Sequence, residues 1–384
     1  MRKRLLITGS SLLLALGFFA LPSFLDYRMN STADRGPYQA SAAAQALHRQ
    51  LWIADLHDDA LLWQRDPLQR HSYGHTDLPR LLDGNVGLQV FAAVTKTPRG
   101  LNYTSNAADS DNITPLVIAQ RWPRVTWNSL LQRALYQSER LHQAERDSQG
   151  FLRIVRSREE LRQTLARRNP EQPTLAAILA TEGLHPLEGK LENVDTLFDA
   201  GYRIAGLTHF FDNELGGSAH GLVKGGLTPF GREVVKRLEQ RHMLIDLAHA
   251  SKPMIDDVLA MATRPLLVSH TGVAGTCPGP RNLSDEHLRR IAAGGGLIGI
   301  GYWDGAVCAT SVDAIVKAIR YSVDLIGVEH VALGSDFDGT IHAPFDTSGL
   351  VLLTDGLLKA GFSAEQITAI MGGNVQRLLL QYLP

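Results

Sequence analysis

The sequence predicts an α/β protein, a (β/α)8 barrel of the TIM type with a helical insertion after the second strand. Two observations carry that prediction. Short apolar runs alternate with amphipathic stretches along most of the chain, and eight of these runs read as strands. Six of the eight end in histidine, aspartate or glutamate. Repeated strand–helix units imply a parallel sheet, and eight of them imply that the sheet closes on itself. The 384 residues suffice for one such barrel, which uses about 250, with additions.

Before the barrel, the chain departs from this pattern. Arg2, Lys3 and Arg4 precede an uncharged run from Leu5 to Leu21, a basic n-region before an apolar h-region. Residues 1–26 therefore read as a signal peptide or an N-terminal membrane anchor. The run is marginal for a full span of about 20 residues, so both alternatives stay open. The basic flank keeps the tip cytoplasmic and exports the body. The expected location is the periplasm, or the inner membrane facing it. Residues 27–39 read as a polar linker around Asn30-Ser31-Thr32-Ala33-Asp34, and the barrel domain takes residues 40–384.

Ala40 to Gln50 reads as a short helix. The strands follow at Leu51 to His57, Leu88 to Val94, Thr174 to Glu182, Tyr202 to His209, Met243 to His249, Pro265 to His270, Leu297 to Tyr302 and His330 to Asp336. Amphipathic stretches between them include Leu191 to Ala200, Gly231 to Arg241, Ser284 to Ala293 and Val312 to Ile326. Asp285 and Glu286 suit a helix N-terminus, where the dipole favours negative charge. Thr95 to Leu161 is too long for one loop, and Asn128 to Arg146 within it reads as a helix. That region is the helical insertion.

Composition excludes several function classes. Hydrophobic residues make up 44% and charged residues 20%, an ordinary folded composition. With 38 basic and 39 acidic side chains the formal charge is −1, which argues against a non-specific nucleic-acid partner. Two cysteines are too few for a disulfide scaffold or a four-cysteine zinc site.

The strand ends carry the chemistry. In a barrel of this type all C-terminal strand ends meet at one face, where active sites are built. His57, Asp59, Glu182, His209, His249, His270 and Asp336 converge there. Alternation puts residues i and i+2 on one side of a strand, so His57 and Asp59 can grip one ion together while Asp58 points elsewhere. Imidazole and carboxylate without thiolate suit Zn²⁺ and ions of similar softness. The set is large enough for two ions, with Glu182 the natural bridge. Two ions about 3.5–4 Å apart would hold a water, lower its pKa and polarise a carbonyl. Taken singly, a strand-end histidine is more often a hydrogen-bonded core or cap residue. Six such ends in register are harder to dismiss. His48, His142, His242 and His287 read as solvated surface, and His75 and His220 stay undecided.

These stretches resemble the membrane (renal) dipeptidase family of zinc peptidases, among the amidohydrolase-type metal barrels. The resemblance runs from about Ala54 to Leu380. It is carried by Asp55-Leu56-His57-Asp58-Asp59, His75 to Leu81, Thr181-Glu182-Gly183, Leu207-Thr208-His209, Gly226 to Arg232, Ile245 to Ser251, Val268-Ser269-His270, Pro280 to Leu283, Gly334 to Gly339 and Gly372-Gly373-Asn374.

The resemblance implies a dipeptidase with two Zn²⁺ per chain: His57 and Asp59 on one, His249 and His270 on the other, Glu182 bridging. It implies that His209 contacts substrate and stabilises the tetrahedral intermediate. Arg281 would pair with the substrate's C-terminal carboxylate. Asp336 would stand by the bridging water and the free amine, carrying a proton to the leaving nitrogen. Glu182, His209 and Asp336 are thus the expected catalytic residues, and His209, Arg281 and Asp336 the substrate-binding ones. Family members commonly accept a D-residue at the C-terminal position. An amine reader and a carboxylate reader at fixed separation measure a dipeptide, because a longer peptide leaves a buried charge unpaired.

The Gly-rich segment Phe210 to Lys224 departs from the animal members and is expected to shape the pocket together with Tyr302-Trp303-Asp304. Animal members carry a disulfide near Cys277 and Cys308. A bridge between these two is expected in an oxidising periplasm, the alternative being two free thiols. Another reading keeps the metal chemistry but changes the amide, to an N-acyl amino acid or a lactam. A third is a non-catalytic exported barrel that holds metal for structure or acts as a binding protein. The expected partner is a small dipeptide, with no nucleic acid. A membrane tether through the N-terminal segment and a homodimer are both left open.

Overall fold

The computed structural model describes residues 17–169 and 171–384. The leader expected at the N-terminus therefore lies largely outside the described residues. Among those described, no helix is long and apolar enough to cross a membrane.

The barrel strands are β1 (Ile53–Asp58), β2 (Val86–Val94), β3 (Leu175–Glu182), β4 (Tyr202–Gly206), β5 (Leu244–Asp246), β6 (Leu267–Thr271), β7 (Leu297–Ile300) and β8 (Val331–Leu333). Each pairs in parallel with its neighbour, and the ring closes because β3 pairs with β2 as well as β4 and β8 pairs with β1. The predicted fold class holds. A short strand, Leu152–Ile154, also adds to the start of β3.

Burial follows the two-residue period of a strand. Ala54, Leu88, Val90, Ile178, Ile204, Leu244, Leu267, Leu297 and Ala332 form one apolar cluster with Val375, Leu378 and Leu379 of the C-terminal helix Asn374–Tyr382. We read this as the barrel interior and its floor. Their strand neighbours Ile53, Phe91, Leu179, Ile245, Val268, Ile298 and Val331 pack instead in the larger cluster with the surrounding helices.

The helices start where side chains can cap them. Ser129, Ser157, Thr228, Ser251, Ser284 and Ser311 each accept a bond from the backbone N–H three residues on, satisfying a donor the helix leaves free. The insertion after β2 comprises Ile113–Ala119, Leu130–Asp147 and Arg158–Arg167. Arg133, fully buried, binds it together: its guanidinium donates to the carbonyls of Thr95, Thr126 and Trp127 and to Asp111.

Several strands stop earlier than the sequence suggests. β4 ends at Gly206, β5 at Asp246 and β8 at Leu333, three residues short of His209, His249 and Asp336. The cause is local. The Asp246 carboxylate accepts from the N–H of Ala248, and Asp55 accepts from the N–H of Ser335, so these side chains take the place of the ladder. His249 and Asp336 then adopt φ of 63° and 62°, a region costly for non-glycine residues and common at functional sites.

The stretch read as a linker is docked on the barrel instead. Residues 17–29 are helical, and Ser31–Thr32 pairs with His342–Ala343 beyond β8. Asp26 is 2% exposed and ion-pairs with Arg65 at 2.8 Å. Asn30 donates to Asp26 and accepts from the N–H of Thr340. The polar composition that suggested a linker is spent on these bonds.

Candidate metal centre

Four imidazoles surround one carboxylate at the C-terminal mouth of the barrel. The Nε2 atoms of His57, His249 and His270 lie 3.4, 3.1 and 3.4 Å from Glu182 Oε1, and that of His209 lies 3.3 Å from Oε2. Asp59 Oδ1 is 3.6 Å from His57 Nε2. All are buried. Three overlapping groups have ligand atoms close enough to share an ion: His57, Glu182 and His270; Glu182, His209 and His249; His57, Asp59 and Asp336. Every expected metal residue is present in this cluster, and Glu182 lies at its middle.

Hydrogen bonds decide which ring nitrogens face the centre. Ser269 Oγ–H donates to Asp246 Oδ2 at 2.5 Å. Its oxygen is then free to accept, from His57 Nδ1–H at 3.1 Å and His270 Nδ1–H at 2.9 Å. Both rings are thereby held as Nδ1–H tautomers with bare Nε2 atoms turned to Glu182, the arrangement a ligating histidine requires. His57 Nε2 and Asp59 Oδ1 have no hydrogen-bond partner although both are buried, a costly state unless a cation completes it.

Electrostatics point the same way. Burial, then the Glu182 charge, pushes the Asp59 carboxyl up to about 7. Burial, with Asp59 and Glu182 adding to it, drives Asp336 well above the usual carboxylate range. Although burial opposes it, Glu182 and Asp59 raise His57 toward its protonated form. The same two carboxylates favour a cation at the bare Nε2, where a metal ion would take the place of a proton. The donor set of imidazole and carboxylate fits a divalent cation of intermediate softness.

Around this cluster stand the residues expected to handle substrate. Arg281 is buried, donates through Nη2 to the carbonyl of His270 at 2.6 Å, and keeps Nε without a partner. Trp303 packs against its guanidinium at 5.4 Å. A cavity of about 260 Å³ opens beside Arg281 and His249, and its wall includes Lys224, Lys252 and His287 but no acidic side chain. Gly334, just past β8, lets the chain pass close to β6, since a Cβ there would lie 1.9 Å from the Ser269 carbonyl oxygen.

A family model described as membrane dipeptidase (peptidase family M19) matches residues 41–382. The chain belongs to the membrane dipeptidase family. Among relatives, a dipeptidase of Aspergillus oryzae is 27% identical over 94% of this chain and 83% of its own. A dipeptidase of Clonostachys rogersoniana is 30% identical over 79% and 75%. Among solved structures, the probable dipeptidase PvdM of Pseudomonas aeruginosa superposes with a TM-score of 0.74 at 20% identity, covering 89% of this chain and 98% of its own. A metallopeptidase of Rhodobacter sphaeroides, solved with a phosphinate mimic of L-Ala-D-Ala, gives 0.70 at 22%, covering 87% and 99%. This member is therefore a dipeptidase of a metallopeptidase family.

Within this membrane dipeptidase the structure also corrects and extends the sequence reading. His48 and His287 are not solvated: they are 6% and 5% exposed. His48 bonds Thr354 and the Gly84 carbonyl, and His287 bonds Ser284 and Asp256. His75, undecided from sequence, accepts from the N–H of Asp338 and donates to the Ser31 carbonyl. Asp338 itself faces Arg65 at 2.7 Å, outside the metal cluster. Asp58 accepts from the N–H of Ala60 and is in none of the ligand groups. Cys277 and Cys308 are joined by a disulfide. Sequence reasoning missed Ser269, Asp246 and Asp55. The motif Val268-Ser269-His270 contained the first, but nothing in its spacing marked the hydroxyl as the orienting group.

Proposed function

We propose that the enzyme hydrolyses dipeptides with two zinc ions, His57 and Asp59 holding one, His249 and His270 the other, and Glu182 both. The observation that carries this reading is the pair of bare Nε2 atoms on His57 and His270, fixed by Ser269 and aimed at the same glutamate. When bound, the two cations supply an activated water and polarise the scissile carbonyl.

The chain's own residues do the rest. Arg281 offers the substrate carboxylate a buried donor that has no partner inside the protein. Asp336, whose carboxyl burial raises, is the group placed to carry a proton to the leaving nitrogen. His209, whose pKa burial lowers, is a neutral donor for the developing oxyanion. The acid-free cavity beside Arg281 takes the C-terminal residue. Tolerance of a D-residue at that position is part of the proposal, supported by the related Rhodobacter sphaeroides enzyme solved with a mimic of L-Ala-D-Ala. We further infer export, supported by the basic, then apolar, N-terminus and by the disulfide.

The test is a panel of L,L and L,D dipeptides and N-acetyl amino acids, with metal analysis of the same sample. Turnover of dipeptides over N-acetyl amino acids is expected, at two zinc ions per chain. A protein with two zinc ions that cleaves no dipeptide would overturn the reading. His209→Ala is expected to keep its metal and lose at least about a hundredfold in kcat. Because His209 also lies within ligand distance of Glu182 and His249, loss of an ion in that variant would make it a ligand instead.

A further inference from the structure

Tyr103 lies in the loop that follows β2 and meets the loops after β4 and β7 through His220 and Trp303. Its hydroxyl oxygen is 2.9 Å from Trp303 Nε1. An indole N–H only donates, so the phenol oxygen accepts there and its own O–H is left for another partner. Trp303 in turn packs against Arg281. Tyr103 is 39% exposed at the surface; burial of its inner part, then Asp336, raises the phenol's pKa, and Arg281 lowers it.

This contact is built in. A Cβ at Gly305 would lie 2.6 Å from Trp303 Nε1 and 2.8 Å from the Tyr103 hydroxyl, so the loop after β7 leaves room for the pair. On the other side His220, fully buried within the Gly-rich segment after β4, sits with Nδ1 2.9 Å from the Tyr103 carbonyl. A carbonyl only accepts, so Nδ1 carries the proton. Asn106 donates twice to the His220 carbonyl, and Lys224 Nζ donates to that of Thr104. The His220 ring stacks on Phe210, centroids 4.8 Å apart. The tyrosine is thus fixed from its backbone and from its tip, while its O–H stays uncommitted.

We propose that Tyr103 is a substrate-binding residue whose O–H donates to the carboxylate held by Arg281, and that His220 is the positioning residue that holds Tyr103 in place. The proposal rests on the reading of Arg281 as the carboxylate site. It makes the loop after β2, which carries no strand-end residue, part of the device that selects free dipeptides.

The experiment uses the dipeptide that the wild-type holoenzyme turns over fastest, and the C-terminal amide of that dipeptide. Tyr103→Phe is expected to raise KM for the free acid roughly tenfold, the size of one hydrogen bond to a charged group, at unchanged kcat and metal content. For the amide its kcat/KM is expected to stay within about twofold of wild type. His220→Ala is expected to raise KM for the acid similarly. His220→Asn, whose side-chain N–H can replace Nδ1–H, is expected to restore it. An unchanged KM for the acid in Tyr103→Phe, or equal losses on acid and amide, would overturn the proposal. Failure of Arg281→Met to discriminate acid from amide would instead remove the reading of Arg281 on which it rests.

Discussion

The hydroxyl of Ser269 lies between Asp246 and two imidazoles, and its removal has a definite expected cost. Ser269→Ala leaves His57 and His270 free to turn or change tautomer. Loss of such an orienting group typically weakens metal binding 10- to 100-fold. A competition titration against a chelator would measure it, and unchanged affinity would show that the rings are held by packing alone. The contrast between this serine and its partners explains what the sequence shows. His57, Asp59, Glu182, His249 and His270 were legible because buried charge-bearing residues at strand ends are rare without a purpose. Ser269 and Tyr103 were not, because serine and tyrosine are ordinary in a fold and acquire meaning only from distant partners. Ser269 and His57 are 212 positions apart, a separation that no local pattern reports.

At the scale of elements, helices were easier to read than strand ends. Val312–Ile326 and Asp285–Ala293 match their expected spans because apolar period and capping residue agree. The C-terminal ends of β5 and β8 were overrun because side-chain capture by Asp246 and Asp55 replaces the ladder beyond Asp246 and Leu333, a substitution that no apolar pattern reports. The loops that follow β6 and β7 are tied to each other by Cys277–Cys308, closing a sequence separation of 31 residues. A loop of that size is worth about 3.7 kcal/mol through restriction of the unfolded chain. The double variant Cys277→Ala, Cys308→Ala is expected to lose that much in denaturant unfolding while retaining its metal. Equal midpoints for variant and wild type would show that packing around Trp303 and Arg281 suffices.

Across the whole molecule the barrel is covered at both ends. The C-terminal helix Asn374–Tyr382 fills the floor, and the N-terminal segment lies over the rim that carries the metal cluster. Composition placed the domain boundary at residue 40, because polar residues with no period look like a linker. The structure puts Asp26, Asn30 and Ser31–Thr32 into the hydrogen-bonding of the rim. A chain begun at residue 40 would leave Arg65, 6% exposed, with Asp338 as its one carboxylate partner, and would strip the strand from His342–Ala343. Removing a buried ionic partner costs roughly 3 kcal/mol. Thermal unfolding of chains begun at residues 20 and 40 is expected to show the shorter one melting lower by roughly 5 °C or more. Indistinguishable melting would mean that the segment is ornamental.

Asp26 also sets a limit on processing. Under the export proposed above, a peptidase would have to cut upstream of Pro22, which is buried, or before the rim has folded. A cut made later, within residues 22–32, would need that helix and strand to peel away first. Under that proposal the buried Asp26 carboxylate would tie the order of folding and trimming together.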